Sequence, residues 1–337
     1  MPQWPVWTPQ KVSNTWEYKF AFHACGPEDI PPEFSNGYDR LVHSHGQPVF
    51  GLFTPAVEES GRIVSRWLPP RVIWLFGDSL AVVSLDVRSD QVFMTEWRRA
   101  NLLGYGLAEF LLHGWFSLYP NDPSEEKFVI RFPPQAARHF DDLAAVLTNW
   151  CLEGEMRTDI STHQPIALPG IPNKFASFLQ AHPRLASSQG FFFQPAMKLQ
   201  GSGERRWANL LLLVNLESIV VLSDQYQRES SAFGVEMTFL PLKGVRSARW
   251  HESPDGHAAV LQVLLGETNC RLLLSWQVFD GLKPYAFRFL DAVDALLDQA
   301  GHPRASQERV GTPGDEVIAA NESLTNENGN CADDKRN

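Results

Sequence analysis

Apolar side chains recur along the chain in two patterns, one typical of strands and one typical of helices. Short apolar or alternating runs predict seven strands in the first half, at 48–57, 71–76, 79–85, 91–96, 102–110, 112–118 and 127–132. The turn pair Gly77-Asp78 separates the second run from the third and favours a hairpin. Apolar residues spaced by three and four positions predict a helix over 135–150, directly after these strands.

The second half follows the same order of patterns. Strand-like runs lie at 190–198, 207–214, 218–223, 235–240, 245–250, 258–265 and 270–276. A second amphipathic helix is predicted over 279–299, where apolar positions again recur at helical spacing. The predicted fold class is therefore α+β and mainly β, with one closing helix in each half.

Short sequence matches link the two halves at a near-constant offset of about 140 residues. Arg66-Trp67 matches Arg206-Trp207, residues 78–84 match 217–223, and residues 92–95 match 235–238. Matches in the same order at nearly the same offset indicate a tandem duplication. The predicted division is an N-terminal Trp- and Pro-rich strap at 1–29, repeat one at 30–157, a linker at 158–170, repeat two at 171–300 and an acidic tail at 301–337.

The hairpin at 74–83 has an apolar run, an acidic turn and a Leu-x-Val sequence, and each half has its predicted strands before a single closing helix. In this pattern the chain resembles bacterial proteins of the pleckstrin-homology-like (PH-like) family. The resemblance implies that each repeat is a curled antiparallel β-barrel, nearly closed, with its C-terminal helix capping one open end. Gly104 and Gly106 lie where a strand of such a barrel has to bend.

The two ends of the chain differ from the repeats in composition. Trp4, Trp7 and Trp16 would be costly to leave exposed, so the N-terminal strap is expected to pack across repeat one. The rival interpretation is a recognition segment for a protein partner, because interfaces are enriched in tryptophan. The tail at 301–337 has few large apolar side chains and is predicted to be disordered.

Charge and cysteine content restrict the class of partner and the compartment. The 337-residue chain has 39 acidic and 29 basic residues, a formal net charge of −10, which argues against nucleic acid because phosphate binding requires clustered basic residues. No signal peptide is predicted, and no apolar run approaches the roughly 20 residues of a membrane-spanning helix. The four cysteines are far apart, which predicts reduced thiols and a cytoplasmic location.

Sequence motifs of catalysis and of cofactor binding are absent. There is no Gly-x-Ser-x-Gly nucleophile turn, no Walker loop and no dinucleotide-binding Gly-x-Gly-x-x-Gly. His43-Ser44-His45 is expected to be a surface turn, and His23 and Cys25 are too close in sequence to indicate a catalytic pair. Asp141-Asp142 are neighbours that face different directions on a helix. No catalytic residue, metal site or cofactor is therefore predicted.

The candidate ligand-binding residues are basic. Pleckstrin-homology domains that bind phosphoinositides hold the phosphates with a basic first hairpin loop, and the resemblance carries this role to Lys198, Arg205 and Arg206 in repeat two. The matching residue in repeat one is Arg66, but that loop also has acidic residues at Glu58 and Glu59 and departs from the basic pattern.

Three functions are left open by these patterns. The first is a non-enzymatic interaction or scaffold protein, which would bind a protein partner at an edge strand or in the groove between sheet and helix. The second is a peripheral binder of anionic lipid or another anionic ligand through the first loop of repeat two. The third is an enzyme with an unrecognised site between the repeats, since pockets are common at domain junctions.

Overall fold

The computed structural model of the chain describes residues 21–60, 65–86, 89, 91–110, 113–122, 127–152, 170–182, 188–198, 206–224, 234–252, 258–266 and 272–300. Within these ranges the protein is mainly β, with antiparallel sheets and several helices, as the apolar pattern predicts. Trp4, Trp7, Trp16, the tail at 301–337 and the linker apart from Gly170 lie outside the described residues.

The first half contains ten strands and two α-helices among the described residues. Their bounds are β1 (Phe22–His23), α1 (Ser35–His45), β2 (Phe50–Thr54), β3 (Val57–Ser60), β4 (Ser65–Leu68), β5 (Arg71–Leu75), β6 (Ser79–Asp86), β7 (Gln91–Arg98), β8 (Leu102–Phe110), β9 (Gly114–Pro120), β10 (Phe128–Phe132) and α2 (Ala137–Cys151). The turn Gly77-Asp78 joins β5 to β6, which pair as the predicted hairpin. A short 3-10 turn at Pro134–Ala136 leads into α2, where proline suits the start of a helix.

The second half repeats this order of elements from its first helix to its last. The bounds are α3 (Asn173–Ala181), β11 (Gly190–Gln194), β12 (Met197–Lys198), β13 (Arg206–Trp207), β14 (Leu210–Val214), β15 (Ser218–Ser223), β16 (Gly234–Pro241), β17 (Val245–Glu252), β18 (Ala258–Leu265), β19 (Leu272–Phe279) and α4 (Lys283–Gln299). The elements of the first half from α1 onward therefore have positional counterparts in the second half, including the small hairpin and the closing helix.

The strands form three larger sheets and two small hairpins. The sheet orders are β1-β2-β5-β6-β7, β10-β9-β8-β16-β15-β14-β11 and β17-β18-β19, with β3-β4 and β12-β13 as the hairpins. The prediction of two nearly closed barrels is wrong, because the described strands form no closed barrel. The second, seven-stranded sheet instead takes strands from both halves, since β8 pairs with β16.

The two halves meet through the main chains of β8 and β16. In their antiparallel register Tyr105 lies opposite Phe239 and Gly106 lies opposite Thr238. A β-carbon at Gly104 would lie only 2.3 Å from the carbonyl oxygen of Phe239, so the close approach of β16 requires glycine there. The predicted bend is also present as a bulge between Leu102 and Gly104, but the backbone contact is an additional constraint.

The seven-stranded sheet is buried on both faces. Leu211 and Leu213 of β14 belong to the core under α2, whereas Leu210, Leu212 and Val214 belong to the core capped by α4. Burial on both faces explains why β14 is an unbroken apolar run rather than an alternating one. Each closing helix packs against one of these two cores, and the seven-stranded sheet between the cores takes strands from both halves.

A third core lies between α1 and the outer face of the five-stranded sheet. Tyr38 of α1 packs against Trp74 of β5, with ring centroids 5.4 Å apart. The indole nitrogen of Trp74 donates a hydrogen bond of 2.9 Å to the carbonyl oxygen of Ala24. Since β1 also pairs with β2, the segment before α1 is fixed to the sheet by both main chain and side chain. None of the described helices has the length and apolar character that membrane crossing requires.

Candidate functional site

Three of the four predicted basic residues, Lys198, Arg206 and Arg66, lie on the two small hairpins. Lys198 and Arg206 are opposite each other in the register of β12 and β13, so the structure brings their backbones together. Arg66 lies on the corresponding hairpin of the first half, opposite the acidic residue Glu59. Arg205 lies outside the described residues. The greater basic content of the second loop is a property of the sequence, because residues 199–205 of that loop lie outside the described residues.

Trp207, which follows Arg206 in the repeated Arg-Trp pair, is a packing residue. Its side chain is buried, and its ring lies 6.4 Å from that of Phe279, measured between centroids. The tryptophan of the repeated pair therefore serves packing at this position.

An exposed sheet edge lies at β7. This strand is the last in the five-stranded sheet, where it pairs with β6, and no described strand pairs with its outer edge. Two large apolar side chains at its start are unusually exposed, with Val92 at 42% and Phe93 at 55% of full accessibility. Its counterpart in the second half, β16, is covered on this edge by β8. Among the described strands, the first half therefore leaves unpaired the edge that the second half pairs with β8.

His45 connects the end of α1 to the same edge. Its Nε2 atom lies 3.1 Å from Glu96 Oε1 on β7, and its Nδ1 atom lies 3.6 Å from Asp78 Oδ1 in the β5–β6 turn. The expectation of a surface turn at His43-Ser44-His45 is wrong, because these residues form the last turn of α1. A histidine at a helix C-terminus also complements the helix dipole when it is protonated.

A second cluster brings His23 of β1 close to His139 and Asp142 of α2. One possible ligand atom from each residue lies within 4.8 Å of the other two. His23 Nε2 is 3.4 Å from Asp142 Oδ2, and the two imidazole rings meet edge to face with centroids 5.1 Å apart. Burial, together with the nearby His23, lowers the pKa of His139, which favours the neutral imidazole that can bind a metal.

A pair of carboxyl groups adjoins this cluster. The carboxyl group of Asp141 on α2 lies beside that of Glu109, near the end of β8. Burial, and then the neighbouring carboxyl of Glu109, raises the pKa of Asp141 well above its usual range. The neighbouring carboxyl groups of Asp141 and Asp142 do not share a partner among the described residues. Each of them instead contacts a residue from another element, which no sequence pattern indicates.

Part of the histidine cluster could have been found from the sequence. His139 and Asp142 are three residues apart on the predicted helix and therefore lie on the same face. His23 could not have been added to them, because its position depends on the pairing of β1 with β2. The helical spacing of His139 and Asp142 is thus the one sequence signal for this cluster.

Comparison with known proteins gives no relative from which a role for these residues could be transferred. No protein-family model matches the chain, and no significantly similar curated protein is found.

Proposed function

We propose that the chain is a non-enzymatic interaction protein of two duplicated PH-like repeats, in which β7 accepts an extended strand from a protein partner. The single observation that carries the proposal is the difference between the two counterpart strands. β16 pairs on its outer edge with β8, whereas β7 has no described strand at that edge. The common order of elements and the sequence matches support the duplication on which this comparison rests.

Strand addition at β7 would bury apolar surface on both faces of the sheet. Phe93 alternates with Thr95 and Trp97, and the buried Trp97 places this face toward the core under α2. Val92 lies on the other face, together with Met94, which packs against the core beside α1. Covering the exposed parts of Phe93 and Val92 would contribute about 1–2 kcal/mol each, in addition to main-chain hydrogen bonds.

A partner of different sequence fits this edge better than a second copy of the chain. The counterpart of β8 in the second half is β17, which has its bulge between Val245 and Ser247. Ser247 on β17 thus occupies the position that Gly104 has on β8. If β17 of a second copy paired with β7 as β8 pairs with β16, the β-carbon of Ser247 would collide with the main chain of β7. The proposed partner is an extended segment with apolar side chains on both faces and a glycine at that position.

The experiment that tests the proposal compares two exposed phenylalanines on edge strands. Phe93 on β7 is 55% exposed, and Phe191 on β11, at one end of the seven-stranded sheet, is 48% exposed. We expect Phe93→Lys to lose specific partners in quantitative affinity purification from the source cell, because a charge blocks edge pairing. Phe191→Lys should keep them. Identical partner sets for the two variants would contradict the proposal.

The opposed positions of Lys198 and Arg206 favour anion binding as a second candidate function. Two basic residues next to a third, Arg205, could attract an anionic headgroup, each contributing about 1 kcal/mol near a charged surface. Co-sedimentation with vesicles that contain phosphatidylserine or a phosphoinositide should exceed that with neutral vesicles and fall for Lys198→Glu. Equal sedimentation with both kinds of vesicle would exclude this candidate.

A further inference from the structure

We propose that His23, His139 and Asp142 bind a divalent transition-metal cation, with Zn²⁺ as the representative ion. The cation would lie between β1, at the start of the described chain, and α2, the helix that closes the first half. This site is separate from β7 and does not depend on the function proposed for that strand.

The spacing of the ligand atoms suits a tetrahedral ion. Zinc binds histidine nitrogen and carboxylate oxygen at about 2.0–2.2 Å, which places neighbouring tetrahedral ligands roughly 3.4 Å apart. The observed separation of His23 Nε2 and Asp142 Oδ2 is 3.4 Å. The ligand atom of His139 is within 4.8 Å of both, so a change of side-chain rotation would complete the set.

Two independently fixed elements hold these side chains. His139 and Asp142 are separated by one turn on the same face of α2. His23 is held by the pairing of β1 with β2, opposite Leu52, and its ring lies edge-on to Phe50 with centroids 5.2 Å apart. The main-chain positions of the three ligands are therefore fixed by the sheet and by the helix before any ion binds, which lowers the entropic cost of binding.

The donor set and its surroundings favour a transition metal over Mg²⁺ or Ca²⁺. Two imidazoles and one carboxylate match the ligands of Zn²⁺ and related ions, whereas Mg²⁺ and Ca²⁺ prefer oxygen. The side chains of His23 and Asp142 are each 47% exposed, so an ion can reach them and a water can take the fourth position. His139 Nδ1 is buried without a hydrogen-bond partner among the described residues, which is unusual for a histidine that serves packing alone.

Binding of an ion would join the segment before α1 to the closing helix of the first half. A ligand that binds only the folded protein raises its stability in proportion to the logarithm of ligand concentration. We therefore expect micromolar Zn²⁺ to raise the melting temperature of the full chain freed of metal by a chelator, whereas Mg²⁺ and Ca²⁺ should leave that temperature unchanged.

The decisive experiment titrates the full, metal-free chain with Zn²⁺ by calorimetry and with Co²⁺ by absorption spectroscopy. We expect one equivalent to bind, with Co²⁺ showing d–d bands of a nitrogen- and oxygen-ligated site and no thiolate charge-transfer band. Asp142→Asn, His23→Gln and His139→Gln should each weaken binding at least about tenfold, comparable with losses seen for metal-site residues. Asp142→Asn is the main variant because that side chain is half exposed and its replacement should not disturb folding.

Two controls separate this site from other binding groups. His43→Gln changes an exposed histidine on α1 and should leave the affinity unchanged. Cys25→Ser removes the exposed thiol closest to His23 in sequence and should also leave it unchanged. The proposal would be overturned by the absence of saturable binding, by wild-type affinity in Asp142→Asn or His23→Gln, or by loss of binding in Cys25→Ser.

Discussion

Replacing Gly104 by alanine tests whether the two halves share a continuous sheet. The added β-carbon would lie 2.3 Å from the main-chain oxygen of Phe239 and 3.1 Å from a methyl carbon of Leu240. Real contacts of this kind need more than 3 Å, so β8 and β16 would have to move apart where they are hydrogen-bonded. Glycine is required there by the approach of the opposing strand.

The cost of this substitution has two parts. Overpacking of a filled interior costs about 1–3 kcal/mol, and each main-chain hydrogen bond lost at the junction adds about 1 kcal/mol. We expect Gly104→Ala to lower the free energy of unfolding by about 2–4 kcal/mol, measured by urea titration with circular dichroism.

Gly244→Ala is the matched control. Gly244 lies in the short turn between β16 and β17, and a β-carbon there would meet its closest neighbour, a methyl carbon of Leu103, at 3.6 Å. This is an ordinary contact, so the control should stay within about 1 kcal/mol of the wild type and can even gain from the reduced entropy of the unfolded chain. Equal unfolding free energies for the two variants would refute the junction between β8 and β16.

Three further predictions concern buried contacts. Burial lowers the pKa of His182, so the folded state favours the neutral imidazole. The stability that His182 contributes is therefore greatest above the ordinary pKa of histidine. This stability is lost as the pH falls through the lowered pKa of the folded state, because the unfolded chain takes up a proton first. The melting temperature of the wild type should therefore fall more steeply than that of His182→Gln between pH 7 and pH 5, and parallel curves would contradict this. The hydroxyl of Tyr105 donates to the carbonyl oxygen of Ala144 at 3.0 Å and lies 2.5 Å from Thr148 Oγ1. Tyr105→Phe removes both contacts and should lower the free energy of unfolding, measured by urea titration, by about 1–2 kcal/mol. Trp74→Phe removes the hydrogen bond from the indole nitrogen to the main chain of Ala24, and should speed proteolytic cleavage of the segment before α1. An unchanged cleavage rate would show that the pairing of β1 alone holds this segment.

Local pattern was sufficient to locate most strands. The bounds of β8, β15 and β18 agree with the predicted 102–110, 218–223 and 258–265 because each is a clear apolar run between turn residues. The apolar pattern does not separate the two-residue strands β12 and β13 from their neighbours, since so short a pair has no periodicity to detect.

The shared sheet could not be predicted from the same pattern. The pairing of β8 with β16 is made by main-chain atoms, which leave little trace in side-chain composition. Gly104 was a partial signal, but glycine in a strand equally indicates a bend. The unbroken apolar run of β14 was a second signal, because it requires cover on both faces and therefore a larger assembly than a single barrel.

The candidate sites, like the fold, can be predicted from the sequence only where they depend on local spacing and not on tertiary contacts. The spacing of His139 and Asp142 on a helix can be read from the sequence, whereas the approach of His23 depends on strand pairing. The exposed edge of β7 is likewise a property of sheet order, although its matching residues 92–95 and 235–238 were visible as a repeat.

Amide hydrogen exchange on the full chain decides whether β7 accepts a strand. The exchange rates are measured for the wild-type chain alone and with a bound partner. The partner is one that the Phe93→Lys variant loses and the Phe191→Lys variant retains in affinity purification. We expect new protection of amides within Gln91–Arg98 when the partner is bound, because the added strand would hydrogen-bond to the outer edge of β7. Protection at β10 or β11 with β7 unchanged would contradict the proposed mode of binding.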